Sequence, residues 1–278
     1  MSVFEARDKV FVVTGAAGGI GAGVVRAFLE EGAKHVAILD VAEEAGKEFE
    51  KELLQKYGSG KAKFFKCDVT NDDQLYTAFE ETKKNYGLDT VINNAAIMND
   101  SFRSYKKQIE INVTAVITST LKAIDIMRKD KGGNGGTVIN ISSIAGLSQS
   151  HFLPIYFATK SAVIQFSNCI GMEPNYKVTG VRVVTVCFGV TDTSLLHVQK
   201  IGTIDDERTG EFNTAVDHAY KQKLESAVNG VVAAYKAGAS ASTWLANRDR
   251  PPVDITQDVK DAYTVMSTQM ALAVKEAQ

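Results

Sequence analysis

Tyr156 and Lys160 stand four residues apart in the run Tyr156 to Met172, whose apolar spacing predicts a helix. At that spacing both side chains share one helical face, about one turn apart. A phenol with an ordinary pKa of ~10 is a poor base at neutral pH. An ammonium held beside it favours the phenolate and can lower that pKa by about a unit or more. Tyr156 could then exchange a proton with an alcohol or a carbonyl compound. Ser143 lies thirteen residues upstream, at the end of the apolar run Thr137 to Ile141, which reads as a strand. A strand end beside a helix start can bring that hydroxyl close to the phenol. Chance supplies Tyr-x-x-x-Lys as an ordinary surface pair, so the chemistry depends on the elements that position it.

Those elements begin with Val10-Phe-Val-Val-Thr14, a β-branched run that reads as a buried parallel strand. Gly15 ends it, Ala16, Ala17, Gly18, Gly19, Ile20 and Gly21 follow, and a helical pattern then runs to about Glu31. Strand, glycine-rich turn and helix form the context of a phosphate-binding turn. The glycines let backbone approach a pyrophosphate seated on the helix N-terminus, which makes Gly15, Gly19, Ile20 and Gly21 candidate cofactor contacts. An ordinary strand-to-helix turn would need only one glycine. His35 to Leu39 is a second strand, ending in Asp40, nineteen residues after Gly21. An acidic residue there hydrogen-bonds both hydroxyls of an adenosine ribose and repels the 2′-phosphate of NADP, which favours NAD. Asp40 could instead cap a helix starting near Ala42.

Lys47 to Tyr57 reads as an amphipathic helix with a solvated charged face, and Ala62 to Cys67 as a third strand ending in Asp68-Val69. Asp68 could meet the adenine amino group or cap the helix from Asn71. Gln74 to Tyr86 is the next helix and Leu88 to Ile92 the fourth strand, followed by Asn93-Asn94-Ala95-Ala96. Small residues there let a strand end lie against a cofactor, and the two amides can tie neighbouring strands. Tyr105 to Arg128 has helical periodicity with Asn112 in its middle, where a buried amide needs partners or bonds the local backbone. After the Tyr156 helix, Val181 to Val186 is a sixth strand, followed by Cys187-Phe188-Gly189-Val190-Thr191-Asp192-Thr193. The β/α alternation demands a Rossmann-like, doubly wound parallel sheet covered by helices on both faces, and ligands of such sheets bind beyond the strand carboxyl ends. Every residue singled out so far falls at such an end.

The remainder is less regular. Residues 194–218 read as an insertion or lid, Tyr220 to Ala237 as a helix, Ser242 to Leu245 as a last strand, and 248–252 as a turn. The tail at 255–278 contains an amphipathic helix from Val259 to Lys275. A single domain over 1–278 accommodates all of this. With 31 Lys and Arg against 33 Asp and Glu, net charge −2, no basic block recommends nucleic acid or an anionic membrane. Cys67, Cys169 and Cys187 lack metal-ligand spacing and sit in apolar runs, so three buried free thiols and no metal site are expected. Their rarity suits a reducing compartment. No apolar segment is long enough to span a membrane and neither end carries a targeting pattern, so a cytoplasmic protein is expected.

Thr14-Gly-Ala-Ala-Gly-Gly-Ile-Gly21, Asp40, Asp68-Val69, Asn93-Asn94-Ala95, Asn112, Ser143 and Tyr156-x-x-x-Lys160 together resemble the classical short-chain dehydrogenase/reductase family over residues 9–193. Ile141 to Leu147 and the segment from Asn229 to Leu245 look most like the branch holding insect alcohol dehydrogenase-like proteins and 15-hydroxyprostaglandin dehydrogenases. The resemblance implies an NAD-dependent oxidoreductase moving a hydride between NAD and an alcohol or ketone. Tyr156 would be the general base in oxidation. Lys160 would lower its pKa and bond the nicotinamide ribose, Ser143 would hold the substrate oxygen, and Asn112 would help order a proton-relay water chain. Thr193 and the backbone near Val190 would contact the carboxamide, with Asp68, Val69, Asn94 and Ala95 along the cofactor. Two departures stand out: Ala96 replaces a family glycine, and Phe188 replaces a family proline, adding bulk near the nicotinamide pocket. An NADP-dependent carbonyl reductase and a non-catalytic cofactor-binding protein are the alternatives. Phe152, Leu153, Ile155, Leu195 and Leu196 suggest an apolar substrate pocket, though lid packing would use the same residues. Ala115, Thr118, Ala162 and Phe166 read as outward, and the family pairs such helices, which implies a homodimer or homotetramer.

Overall fold

Seven strands buried along most of their length leave neither face in water, and they form one parallel layer between two layers of helices. In the computed structural model, which describes residues 3–197 and 200–276, the sheet runs in the order β3-β2-β1-β4-β5-β6-β7-β8. The parallel strands are β1 (Val10–Thr14), β2 (His35–Asp40), β3 (Ala62–Lys66), β4 (Thr90–Asn93), β5 (Gly136–Ser143), β6 (Val181–Phe188) and β7 (Ser242–Ala246). A two-residue strand, β8 (Val253–Asp254), pairs antiparallel with β7 at the edge, where a turn and then a helix were expected. Its residues are exposed, so it carries no apolar signal to read.

Side-chain alternation sorts the core. In β1, Phe11 and Val13 face α1 (Gly19–Glu30), α2 (Glu43–Tyr57) and α9 (Leu224–Ala237), while Val12 faces α3 (Asp72–Tyr86) and α5 (Ala115–Met127). In β2, Val36 and Ile38 take the first side, Ala37 and Leu39 the second. Each such fully buried Val, Leu, Ile or Phe contributes roughly 1.5–3 kcal/mol relative to exposure. The same alternation carries Val184, Val186 and Phe188 of β6 to the α1/α9 side. Phe188 is therefore a core residue, 5% exposed and paired with Ser143 and Ala246, rather than bulk in a ligand pocket.

Several boundaries differ from the sequence reading, each for a local reason. α2 starts at Glu43, whose two first-turn acids favour a helix N-terminus. The Tyr105 helix forms in three joined parts: α4 (Tyr105–Ile109), a π turn (Glu110–Thr114) and α5. Asn112 lies in the π turn, a form that concentrates at functional sites. α6 (Pro154–Ile170) starts at a proline, and Gly171 and Met172 separate it from α7 (Glu173–Thr179), which carries Pro174 in its first turn. The expected helix from Tyr220 begins only at Leu224. Cys169 lies on the outward face of α6 and is exposed, whereas Cys67 and Cys187 are buried. Ala115 is buried inside the chain, 5% exposed, while Thr118, Ala162 and Phe166 are half-buried.

The segment expected as a lid folds as short 3₁₀ turns at Ser194–Leu196 and Asp206–Arg208 followed by α8 (Thr209–His218). Its residues 198–199 lie outside the described residues. The tail is α10 (Thr256–Glu276), whose start is fixed by the Asp254 carboxylate accepting from the Thr256 N–H at 2.9 Å. Residues 277–278 of the expected tail, like residues 1–2 of the expected domain, are also outside. Among the described residues no helix is long and apolar enough to cross a membrane.

Candidate active site

β1 pairs with β2 on one side and β4 on the other, so the strand order reverses there and a crevice opens at the carboxyl ends. The glycine turn lines it. Gly15 has φ +62°, and a Cβ on it would lie 2.8 Å from Ala95 Cα. A Cβ on Gly21 would lie 2.3 Å from the Gly15 carbonyl oxygen, so α1 can follow the turn this closely only with glycine there. Gly19 opens α1 with φ +53°, and Ile20 packs partly against the core. No side chain caps α1 and its first turn has no acidic residue, which leaves its N–H groups and positive dipole end to an anion.

Asp40 lies across that turn. Its Oδ2 accepts from the Ala17 N–H at 3.0 Å and its Oδ1 from the Ala42 N–H at 3.0 Å, so it joins the glycine turn to the end of β2. Asp68 bonds the Thr70 N–H and hydroxyl at 2.9 and 2.7 Å and pairs with Lys107 at 3.2 Å. Asn71 caps α3 through the Gln74 N–H, so Asp68 is not that helix's cap. Val69 and Ala95 line a small crevice with Thr14, Ile111 and Ala115. Asn94 donates to the carbonyls of Thr14 and Gly15 at 3.0 Å each, tying β4 to β1. Asn93 donates to Asn140 Oδ1 at 2.8 Å, tying β4 to β5.

Opposite the glycine turn, Thr193 stands 3.9 Å from where a Gly19 Cβ would be. Its segment is pinned by Gln222, whose N–H donates to the Val190 carbonyl at 2.8 Å and whose amide donates to Thr191 and Ala246. Gln222 is fully buried, and nothing in its surroundings in the sequence marks it.

Ser143 closes β5, and Tyr156 and Lys160 lie one turn apart on the buried face of α6. Lys160 Nζ donates to the Ile141 carbonyl at 3.2 Å and lies 5.7 Å from the Tyr156 ring centroid. Burial dominates both groups. It pushes the Tyr156 phenol up to about 12, with the Ser143 hydroxyl pulling the other way, and pulls the Lys160 ammonium down to about 8. The net effect on the phenol is thus opposite to that expected from an ammonium neighbour, because desolvation is the largest influence on it. Ser143 Oγ itself accepts from the Ala145 N–H at 3.1 Å and donates to the Phe188 carbonyl at 3.3 Å. Asn112 accepts from the Ile97 N–H and donates to its carbonyl, both at 2.9 Å, and donates to Thr159 Oγ1 at 3.2 Å. Its amide therefore fixes the loop after β4 and links it to α6.

An apolar cover completes the site. Tyr156, Met98, Ala145, Leu153 and Ile201 form a buried cluster, with Phe152, Phe157, Leu195, Leu196 and Phe212 packed on it. Of the expected pocket residues, Ile155 alone stays outside that cluster. Beneath the cover lies Asp100, 1% exposed and absent from the sequence reading. It accepts from the N–H groups of Ile155 at 2.7 Å and Tyr156 at 2.9 Å and from Gln108 Nε2 at 2.7 Å. Burial pushes its carboxyl up, against those three hydrogen bonds. A helix opening on Leu153-Pro154, with no local cap, was the available signal that such a distant acceptor is needed. Among the described residues no group of three or more His, Cys, Asp and Glu could hold a metal ion.

Residues 9–202 match the family described as short chain dehydrogenase. A protein of Macaca fascicularis named 15-hydroxyprostaglandin dehydrogenase (NAD(+)) is 36% identical over 212 residues, covering 76% of this chain and 77% of that one. Alcohol dehydrogenase 1 of Ceratitis cosyra is 31% identical over 220 residues, covering 78% and 83%. L-fucose dehydrogenase of Bos taurus is 35% identical over 210 residues, covering 72% and 73%.

Proposed function

The chain belongs to the short-chain dehydrogenase family, and from that premise we propose that it is an NAD-dependent oxidoreductase acting on apolar secondary alcohols or their ketones. The observation that carries this reading is the shared burial of Tyr156 and Lys160 beside Ser143, at the carboxyl end of β5 and under an apolar cover.

The crevice fits a dinucleotide. Gly15 and Gly21 allow close backbone approach, the α1 N-terminus is open to a pyrophosphate, and Thr193 faces Gly19 from the other wall. The Asp40 carboxylate beside the glycine turn supports NAD over NADP, as does the cofactor in the name of the macaque relative. Asp68, Val69, Asn94, Ala95 and Val190 would line the rest. Bound there, the dinucleotide supplies a hydride acceptor.

In oxidation, Tyr156 Oη takes the hydroxyl proton as the carbinol carbon gives up its hydride. Ser143 Oγ holds the substrate oxygen, and Lys160 is the cation placed to oppose the burial that holds the phenol near about 12. Asn112 keeps the loop after β4 against α6, beside the proton path. The apolar cluster over Tyr156 supports a substrate without charge near its reacting carbon. A single domain with residues 194–218 as its lid, a homodimer or homotetramer paired through α5 and α6, and a cytoplasmic location belong to the same reading.

The test is fluorescence titration with NADH and NADPH, then a panel of secondary alcohols with NAD on the wild type and Tyr156→Phe. Tight NADH binding, with turnover lost in the variant, supports the enzyme and its base. Preference for NADPH, or turnover that survives in Tyr156→Phe, removes it. Light scattering tests pairing, which a monomer refutes.

A further inference from the structure

The loop between β4 and α4 is held at three points by buried polar side chains, and what it holds in turn is the active site. Asn112 fixes Ile97 through both its N–H and its carbonyl, and Gln108 Oε1 accepts from the Asn99 N–H at 2.5 Å. Between these anchors and α6 stands Asp100. Its three side-chain partners are all N–H donors, so a carboxylate, with acceptors on both oxygens, is the group that suits the position.

Two of those donors explain why the residue matters. α6 opens on Leu153, which cannot cap, and Pro154, which has no N–H, so Ile155 and Tyr156 carry the unpaired donors of the first turn. Asp100 caps them from 55 and 56 residues upstream in the chain. One of the two N–H groups belongs to the residue whose phenol would move the proton. The main chain of the same loop meets the covering segment: the Asp100 N–H donates to the Gly202 carbonyl at 2.7 Å, and Asn99 Nδ2 to the Lys200 carbonyl at 3.1 Å. Between those bonds Ile201 is buried against Tyr156 and Leu153. A Cβ on Gly202 would lie 2.5 Å from Asn99 Oδ1, so the contact is as close as the backbone permits.

We propose that Asp100 is a positioning residue that sets the first turn of α6, and hence Tyr156, in register with the cover at 200–203, so that closing the cover and placing the phenol are one event. The inference rests on the reading of Tyr156 as the proton-transfer group. A shift of the phenol by about 1 Å is enough to cost about a hundredfold in rate, and a smaller shift costs proportionately less. Asn in place of Asp keeps the shape but offers one acceptor oxygen, and turns an NH₂ toward one of the helix donors.

The experiment compares Asp100→Asn, Asn99→Ala and Tyr156→Phe with the wild type by NADH fluorescence titration, steady-state kinetics with 2-octanol and NAD, and limited trypsin cleavage after Arg208. In Asp100→Asn, kcat is expected to fall about tenfold or more while NADH affinity stays within about twofold, and cleavage after Arg208 quickens several-fold. Asn99→Ala, which loses the tie to Lys200 and the bond its Oδ1 accepts from the Ser101 N–H, but keeps Asp100 and its two helix donors, is expected to raise the alcohol KM by about fivefold with kcat within about twofold. Wild-type kcat and cleavage in Asp100→Asn overturn the proposal, as does a loss of NADH binding that matches the loss of activity. Should Asp100→Asn fail to fold, Asn99→Ala decides: an unchanged KM and cleavage rate overturn the coupling. Tyr156→Phe is expected to cleave like the wild type. If it still turns over alcohol, the base assignment falls, while the cleavage readout continues to test Asp100 separately.

Discussion

Lys160 Nζ lies 5.7 Å from the centroid of the Tyr156 ring and spends its one resolved hydrogen bond on the Ile141 carbonyl at 3.2 Å, not on the phenol. With burial holding the phenol up to about 12, Tyr156 is almost wholly protonated at neutral pH. Alcohol oxidation, which needs the phenolate, is therefore expected to speed up as pH rises from about 7 to about 10, while carbonyl reduction, which needs the phenol, stays flat over the same range. Initial rates in both directions across that range check this. An oxidation rate that is flat with pH would mean another group takes the proton.

Lys160 itself should weaken the fold. Its pKa falls from the ordinary lysine value to about 8, so between about 8 and 10.5 the unfolded chain binds more protons than the folded one. Stability from this group then rises with pH through that window and is lowest below it. A depression of that size corresponds to about 3 kcal/mol at neutral pH. Lys160→Met is expected to be inactive yet to unfold at higher denaturant than the wild type at pH 7, with the difference closing near pH 10.5. Equal midpoints for the two proteins at pH 7 would contradict the assignment.

The sheet was legible because its strands are buried on both faces, and a run such as Val10 to Thr14 has few other ways to pack. The glycine turn and Asp40 were legible by spacing, since Gly15 and Gly21 answer to backbone close approach, which no other residue allows. Phe188 was misjudged because only the β-alternation with Val184 and Val186, extended two residues beyond the expected strand, shows which way it points. Asp100 and Gln222 were missed for a different reason. Each acts through backbone groups far away in the chain, at Ile155 and Tyr156 for one and Val190 and Ala246 for the other, and no local pattern encodes such partners. The cover over Tyr156 was readable as apolar residues but not as an arrangement, because Ile201 lies in a stretch without periodicity.

Gly21 gives the sharpest steric test of the cofactor crevice. A methyl group there would meet the Gly15 carbonyl at 2.3 Å and Ala16 Cα at 2.8 Å, both backbone atoms that cannot turn aside. Gly21→Ala should push the turn away from α1, costing about 1–3 kcal/mol of stability. NADH affinity should fall more than tenfold in fluorescence titration, an effect of about 1.4 kcal/mol or more. A variant that binds NADH like the wild type would show that the turn does not hold the dinucleotide.

Asp40 tests the choice of cofactor. Its carboxylate already bonds the Ala17 and Ala42 N–H groups at 3.0 Å each, so it is fixed in place at the end of β2 rather than free to swing away from a 2′-phosphate. Replacing it with Ala removes a charged acceptor worth about 1.5–3 kcal/mol per hydrogen bond to a ribose hydroxyl, and removes the repulsion toward NADPH as well. Asp40→Ala is expected to bind NADH about tenfold or more weakly and NADPH more tightly than the wild type does, so that the two affinities converge. The readout is the ratio of the two dissociation constants in parallel titrations. A ratio unchanged by the substitution would place nucleotide selection elsewhere in the crevice.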